Sequence, residues 1–206
     1  MGTILYPFQS WKIKMPNLEF DEEKHLYTLG DRELLNVTGV LPDDKRRVDP
    51  FYLQRGKLVH LATALFDHDE LDEDSIDERI KPYLDGYVKF RRETGFEPIH
   101  IELPLYHPKY FYAGTIDRIG KLNGSQDLID LKTGGKAKDD ELQLAAYWEL
   151  CRVSYIKIRR VFDLYLHENG TYNLIPPETN PKLLLPVFLA CLTVARFKEG
   201  LCQQTH

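Results

Sequence analysis

Three charged side chains in the middle of this 206-residue chain have the types and spacing for chemistry. Asp117 closes the stretch Ala113-Gly-Thr-Ile-Asp117, and Asp130 and Lys132 lie in Leu128-Ile-Asp-Leu-Lys-Thr-Gly134. Residues two apart on a strand share a face, so Asp130 and Lys132 point the same way, while Ile129 and Leu131 turn to the other side, toward the core. The Asn123-Gly124 pair is a strong hairpin signal that folds the strand of Asp130 back beside that of Asp117. Two carboxylates brought together repel unless something cationic sits between them. A divalent metal ion with hard oxygen ligands meets that need. Lys132 then stands where an ammonium can hold or activate a water at the metal's edge. Each acid taken alone reads as an ordinary solvated strand-end residue; the joint pattern points to a site.

The elements that must position these groups follow from periodicity and punctuation. Leu18-Glu-Phe20 and His25-Leu-Tyr-Thr-Leu29 read as a hairpin, and Leu35 to Leu41 as a short strand or turn. Pro50 to Phe66 reads as a helix, with Leu53, Leu58, Leu61 and Leu65 as its buried stripe. Ile76 to Thr94 is a second helix, with Ile80, Leu84, Tyr87 and Phe90 on one side and Gly95 as its stop. Strands follow at Ile99–Tyr106, Phe111–Lys121 and Asp127–Thr133. A helix over Asp139–Val153, capped by Asp139 or Asp140, precedes a hairpin of Tyr155–Leu166 with Thr171–Leu174. A largely buried helix over Pro181–Lys198 closes the chain. The expectation is a single α/β domain spanning 1–206: an N-terminal hairpin extension over 1–45, and a core over 50–200 in which a central mixed sheet, with three antiparallel strands at its heart, is flanked by helices.

Charge is unevenly spread. The net is −5, but the run from Asp67 to Arg79 holds eight acids against one base, which leaves the remaining chain at +2. That run reads as a solvated loop. Cationic clusters sit elsewhere, at Lys45-Arg46-Arg47, Arg55 with Lys57, Lys89-Arg91-Arg92, Lys132-Lys136-Lys138 and Lys157-Arg159-Arg160, so a polyanion partner is permitted. The longest uncharged run, Leu183 to Ala195, falls short of the roughly 20 residues of a membrane span, so no membrane partner is expected. The N-terminus lacks a basic stretch before a long apolar one, and Cys151, Cys191 and Cys202 form no evident disulfide framework; a reducing, cytoplasmic setting is the expectation.

The motifs Gly114-Thr-Ile-Asp117, Asp130-Leu-Lys132-Thr-Gly134 and Gln143-Leu-Ala-Ala-Tyr147, taken in order, resemble those of the PD-(D/E)XK nuclease superfamily in its RecB-like exonuclease branch. Upstream, Arg55-Gly-Lys-Leu-Val-His60 is similar to that branch's helical motif ending in a metal-binding histidine, and Val37-Thr-Gly-Val-Leu41 to the segment preceding it in small phage-type members. The resemblance implies a restriction-endonuclease-like fold. It implies that Asp117 and Asp130 ligate one or two Mg²⁺ or Mn²⁺ ions, with the Leu131 carbonyl as an additional ligand and His60 as a further one. Lys132 would position the attacking water, and Gln143 and Tyr147, on one helical face, would orient Lys132 or touch the scissile strand. Glu102 matches an acidic position one strand earlier. No cysteine precedes Cys151, so the four-cysteine iron–sulfur cluster of some RecB-like nucleases is not expected.

The expected activity is metal-dependent hydrolysis of single- or double-stranded DNA, as an exonuclease of phage or bacterial recombination or repair. A non-catalytic module retaining the nuclease fold and a structure-specific endonuclease are the alternatives. With no G-x-x-x-x-G-K-[ST] motor motif in the chain, any helicase or recombination partner is a separate protein.

Overall fold

The computed structural model describes residues 18–21, 24–42 and 49–200. The Lys45-Arg46-Arg47 cluster, Cys202 and the N-terminal residues read for a leader lie outside the described residues.

An eight-stranded mixed sheet with helices on both faces makes this an α/β protein. Its strands are β1 (Leu18–Asp21), β2 (Leu26–Leu29), β3 (Arg32–Asn36), β4 (Glu97–Tyr106), β5 (Tyr112–Leu122), β6 (Ser125–Lys132), β7 (Val161–Leu166) and β8 (Tyr172–Ile175). The order is β1-β2-β3-β5-β6-β7-β8, with β4 on the far edge of β5. The three central strands β4, β5 and β6 are antiparallel, while β3 meets β5, and β7 meets β6, in parallel. The N-terminal hairpin is thus part of the sheet: β3 continues it into the central strands.

One edge of β5 is shared by two partners. β3 pairs with Tyr112 and Ala113, and β6 with Arg118 through Leu122, so Gly114 to Asp117 are left open between them. The gap has a local cause. Asn36 caps the short helix α1 (Val37–Val40), its side chain accepting the Gly39 N–H at 2.6 Å, and this turns the chain out of the sheet. The sequence segment read as strand or turn is therefore strand up to Asn36 and a helical turn after it.

Helices α4 (Asp140–Val153) and α5 (Pro181–Lys198) pack on one face around Leu105, Tyr112, Ile116 and Leu128. Helices α2 (Pro50–Asp67) and α3 (Lys81–Thr94) cover the other, around Ile129, Leu131, Phe162 and Leu164. Ile129 and Leu131 enter that second core, as their alternation with Asp130 and Lys132 requires. Gly95, with φ at +64°, ends α3 in the left-handed conformation that suits glycine.

Several boundaries and faces differ from the sequence reading. The buried face of α2 is Val59, Ala62 and Thr63 rather than the leucine stripe; Leu53 is exposed and Leu58, Leu61 and Leu65 are only half-buried. Small residues take that face because a buried arginine, Arg118, rises from β5 to meet Thr63. Helix α3 starts at Lys81, after Asp77 and Arg79 have paired with each other and Pro82 has set the first turn. β7 starts at Val161 rather than Tyr155. Helix α5 is not largely buried: Phe188 and Leu192 face the core, whereas Leu183 and Phe197 are 70% and 76% exposed. Among the described residues no helix is long and apolar enough to cross a membrane.

Candidate metal centre

Glu102 on β4 falls opposite Asp117 on β5, since their neighbours pair as Ile101 with Arg118 and Leu103 with Ile116. Like charges directly opposed across two strands are destabilising. Helix α2 supplies the counterweight. His60 Nδ1 lies 3.4 Å from Asp117 Oδ1 and 3.9 Å from Glu102 Oε1, and donor atoms of all three residues lie within 4.8 Å of one another. Glu102 sits at φ +47°, a left-handed backbone that costs an L-residue about 1–2 kcal/mol. Such strain clusters at functional sites.

The open edge of β5 fixes Asp117. With no ladder partner in reach, its Oδ2 accepts the Leu131 N–H at 2.6 Å, so the carboxylate ties the end of β6 to β5 where their pairing has stopped. The Leu131 backbone therefore meets Asp117 through its N–H. Burial opposes ionisation of Asp117, but the His60 charge and contact, together with the Leu131 N–H, outweigh it and hold the carboxyl below its usual range. Glu102 goes the other way: burial and the Asp117 charge push it up, against the pull of Arg118 and His60. For His60, burial disfavours the cation, yet the Asp117 charge and contact, with help from Glu102 and Asp130, raise its pKa to about 9.

Asp130 and Lys132 form an adjoining group, one strand over. Lys132 Nζ lies 2.6 Å from Asp130 Oδ2, donates to Gln143 Oε1 at 2.8 Å and lies 3.5 Å from Asp140 Oδ1. Gln143 Nε2 donates in turn to Asp130 Oδ1 at 3.1 Å and to the Tyr147 hydroxyl at 3.2 Å. Gln143 and Tyr147, four apart on α4, thus hold both Asp130 and Lys132. Burial, with the Asp117 charge, raises Asp130 despite the Lys132 ammonium beside it. Burial disfavours the Lys132 cation, but Asp130, Asp140 and Asp163 outweigh it and keep the amine charged. Gly114 is what lets Tyr147 approach: a Cβ there would meet Tyr147 Cε1 at 2.7 Å and Val37 Cγ2 at 3.0 Å.

The sequence-predicted residues therefore fall into two neighbouring groups, coupled through the charges of Asp117, His60 and Asp130. His60, Glu102 and Asp117 form the ligand cluster; Asp130, Lys132, Gln143 and Tyr147 form a hydrogen-bonded chain beside it. Asp130 lies outside the ligand cluster, held instead by Lys132 and Gln143. Asp139 stands at the start of α4 without a side-chain capping bond, and it is Asp140 that takes the Ala137 N–H, at 2.8 Å.

Other residues support the site in ways the sequence reading did not assign to them. Arg118, fully buried, donates to Glu102 Oε1 at 2.9 Å, to the Asp117 carbonyl at 2.7 Å, to Thr63 Oγ1 at 3.0 Å and to Asp67 Oδ2 at 2.6 Å. Asp67 also takes the Tyr87 hydroxyl at 2.5 Å and pairs with Arg91. Asp67, read as part of a solvated acidic loop, is in fact the last residue of α2, with a fully buried side chain. Arg55 donates to the Thr133 carbonyl at 2.8 Å, clamping the end of β6, and Gly56 leaves room beside Thr133. Three arginines of the cationic clusters, Arg55, Arg91 and Arg160, are committed to internal partners, the last to buried Asp127. Lys136 pairs with Glu178 at 2.7 Å.

No protein-family model and no curated protein sequence matches the chain. Among solved structures it is similar to the crystal structure of SSO0001, at 14% identity and a TM-score of 0.37, over 78% of this chain and 75% of that one. The chemistry therefore rests on the side chains. One imidazole and two opposed carboxylates are a donor set that could hold a divalent metal ion.

Proposed function

We propose that the chain is a Mg²⁺- or Mn²⁺-dependent nuclease that hydrolyses DNA phosphodiester bonds, working as an exonuclease. The observation that carries the reading is the convergence of His60, Glu102 and Asp117 within 4.8 Å, next to a buried, charged Lys132 held by Gln143. His60, Glu102 and Asp117 would hold the ion, with Asp130 and the Leu131 carbonyl as further ligands. When bound, the ion would lower the pKa of a water and screen the phosphate charge.

The chain's own residues do the rest. Because its amine stays charged, Lys132 serves as a hydrogen-bond donor and positive charge rather than as a base: it orients the attacking water and offsets the charge growing on the phosphate. Gln143 fixes the Lys132 amine by accepting from it, and Tyr147 fixes Gln143. Arg118 holds Glu102 against Asp117 so that both carboxylates face one point. The exonuclease half of the reading rests on the likeness of these motifs to those of RecB-like exonucleases, and on the restriction-endonuclease-like fold that the likeness implies. In that role the protein would act in the cytoplasm, in recombination or repair, beside a separate helicase or recombination partner.

The test is digestion of end-labelled linear and closed circular DNA with Mg²⁺, Mn²⁺ or EDTA. Linear DNA should shorten from its ends, circles should survive, and EDTA should stop the reaction. Lys132→Ala should lose on the order of 10²–10³ in kcat while keeping its Mn²⁺ affinity, since it removes a transition-state contact. Undiminished cleavage by that variant refutes the assignment.

A further inference from the structure

Asp163 is a buried acid that the mechanism above leaves unused. It sits in β7, a strand whose six residues are all buried, and its register partner in the parallel pair with β6 is Asp130. Register partners on parallel strands share a face, so Asp163 stands on the side of the sheet that carries Asp130, Lys132 and the polar residues of α4. Its carboxyl feels the charges of Asp130, Lys132, Asp140 and Glu141. The residue is 3% exposed, and its Oδ1 is buried without a hydrogen-bond partner. Leaving such an oxygen unsatisfied costs about 1–3 kcal/mol. A fold that carries this cost beside a reactive lysine calls for a reason.

Lys132 supplies one. An ammonium has three donors; here one meets Gln143 at 2.8 Å, while Asp130 at 2.6 Å and, more loosely, Asp140 at 3.5 Å pair with its charge. A divalent ion bound against Asp130 would compete for that carboxylate and repel the ammonium. Gln143 can keep its donor and Asp140 its looser pairing; the side of the ammonium that faced Asp130 would be left without a partner. We propose that Asp163 is the positioning residue that receives the Lys132 ammonium when a metal ion claims Asp130. This rests on the reading of Asp130 as a ligand, and no bond other than hydrogen bonds is made or broken. The exchange keeps Lys132 charged and in place in both states, so that metal loading aims the amine instead of setting it loose.

The test pairs kinetics with a readout that needs no cleavage. In protein carrying isotope-labelled lysine, the Lys132 side-chain signal, assigned with Lys132→Arg, should shift on adding Mg²⁺. In Asp163→Asn and Asp163→Ala the Mg²⁺-loaded signal should broaden or move toward that of a solvated lysine. These variants should bind Mn²⁺ within about twofold of wild type, melt no earlier without metal, and lose roughly 10- to 100-fold in kcat with little change in KM. A merely structural Asp163 would lower the melting temperature without that split. Two results overturn the proposal: a Lys132 signal unmoved by Mg²⁺ in a wild-type protein that cuts DNA, or wild-type kcat in Asp163→Ala. A wild-type protein that binds Mg²⁺ and shifts Lys132 yet cuts no DNA would instead sink the nuclease reading and leave the exchange standing.

Discussion

Metal binding should be steeply pH-dependent, because the ion and a proton compete for His60. In the metal-free protein the imidazole holds its proton up to about pH 9, chiefly because the pull of Asp117 outweighs burial. At pH 7, two units lower, displacing that proton costs about 2.7 kcal/mol, so the apparent affinity should be about 100-fold weaker than above pH 9. Between pH 7 and 8.5 the dissociation constant of Mn²⁺ should fall about tenfold per unit or more, with about one proton released per ion from His60 and, near pH 7, part of another from Glu102, which burial and the Asp117 charge push up to about 7. Calorimetry under nitrogen, in two buffers of different ionisation enthalpy, reads both quantities at once. The stability of the metal-free fold should run oppositely. The folded-state pKa of His60 lies above its ordinary 6.5, so its contribution is fully present below about pH 6.5 and lost as pH rises through about 9. The shift sets a ceiling of about 3 kcal/mol on that contribution, reduced by the imidazole's partial exposure. His60→Gln should flatten both profiles. A Mn²⁺ affinity constant from pH 7 to 8.5, with no proton released, would refute the assignment of His60 as a ligand.

Two substitutions test the scaffold around the site. Gly114→Ala places a Cβ 2.7 Å from the Tyr147 ring, and overpacking of this kind costs about 1–3 kcal/mol; denaturant titration should find that loss, and kcat should fall further than stability alone explains because Gln143 loses its support. Arg118→Met takes one of two arginines from Asp67, whose side chain is fully buried and keeps only Arg91 and the Tyr87 hydroxyl, and should destabilise the fold by about 1.5–3 kcal/mol. With Asp67→Asn measured alone and on that background, the two changes together should cost less than the sum of each alone, and additive losses would show that the pair is not coupled.

The legible part of this protein was the part whose chemistry is written in neighbouring residues. The Asn123-Gly124 hairpin and the alternation of Ile129 and Leu131 with Asp130 and Lys132 place β5 and β6 correctly, because turn geometry and strand period are local. The same locality links Gln143 to Tyr147. Less legible was what depends on a partner far along the chain, apart from the meeting of His60 and Glu102 with Asp117, which the motif resemblance implied. The Asp67–Arg79 run looks like solvent-facing charge from its composition, yet its first residue is removed from water by Arg91 and Arg118, and Arg118 was hidden beside the more conspicuous Asp117. The leucines of α2 look like a core stripe, but a helix lying over a buried guanidinium must turn small residues inward, so Val59, Ala62 and Thr63 displaced them. A usable signal did exist in both strands: a lone arginine in Ile116-Asp-Arg-Ile119 and a lone acid in Val161-Phe-Asp-Leu-Tyr-Leu166 interrupt segments otherwise rich in core residues. Polar groups in strands buried on both faces need partners. For Arg118 those partners are Asp67, Glu102 and Thr63, which makes the guanidinium the link between the helix that delivers His60 and the strand that carries Glu102. The ligand cluster therefore depends on a charge pair outside it: Arg118 and Asp67 decide whether α2 lies close enough for His60 to reach Asp117.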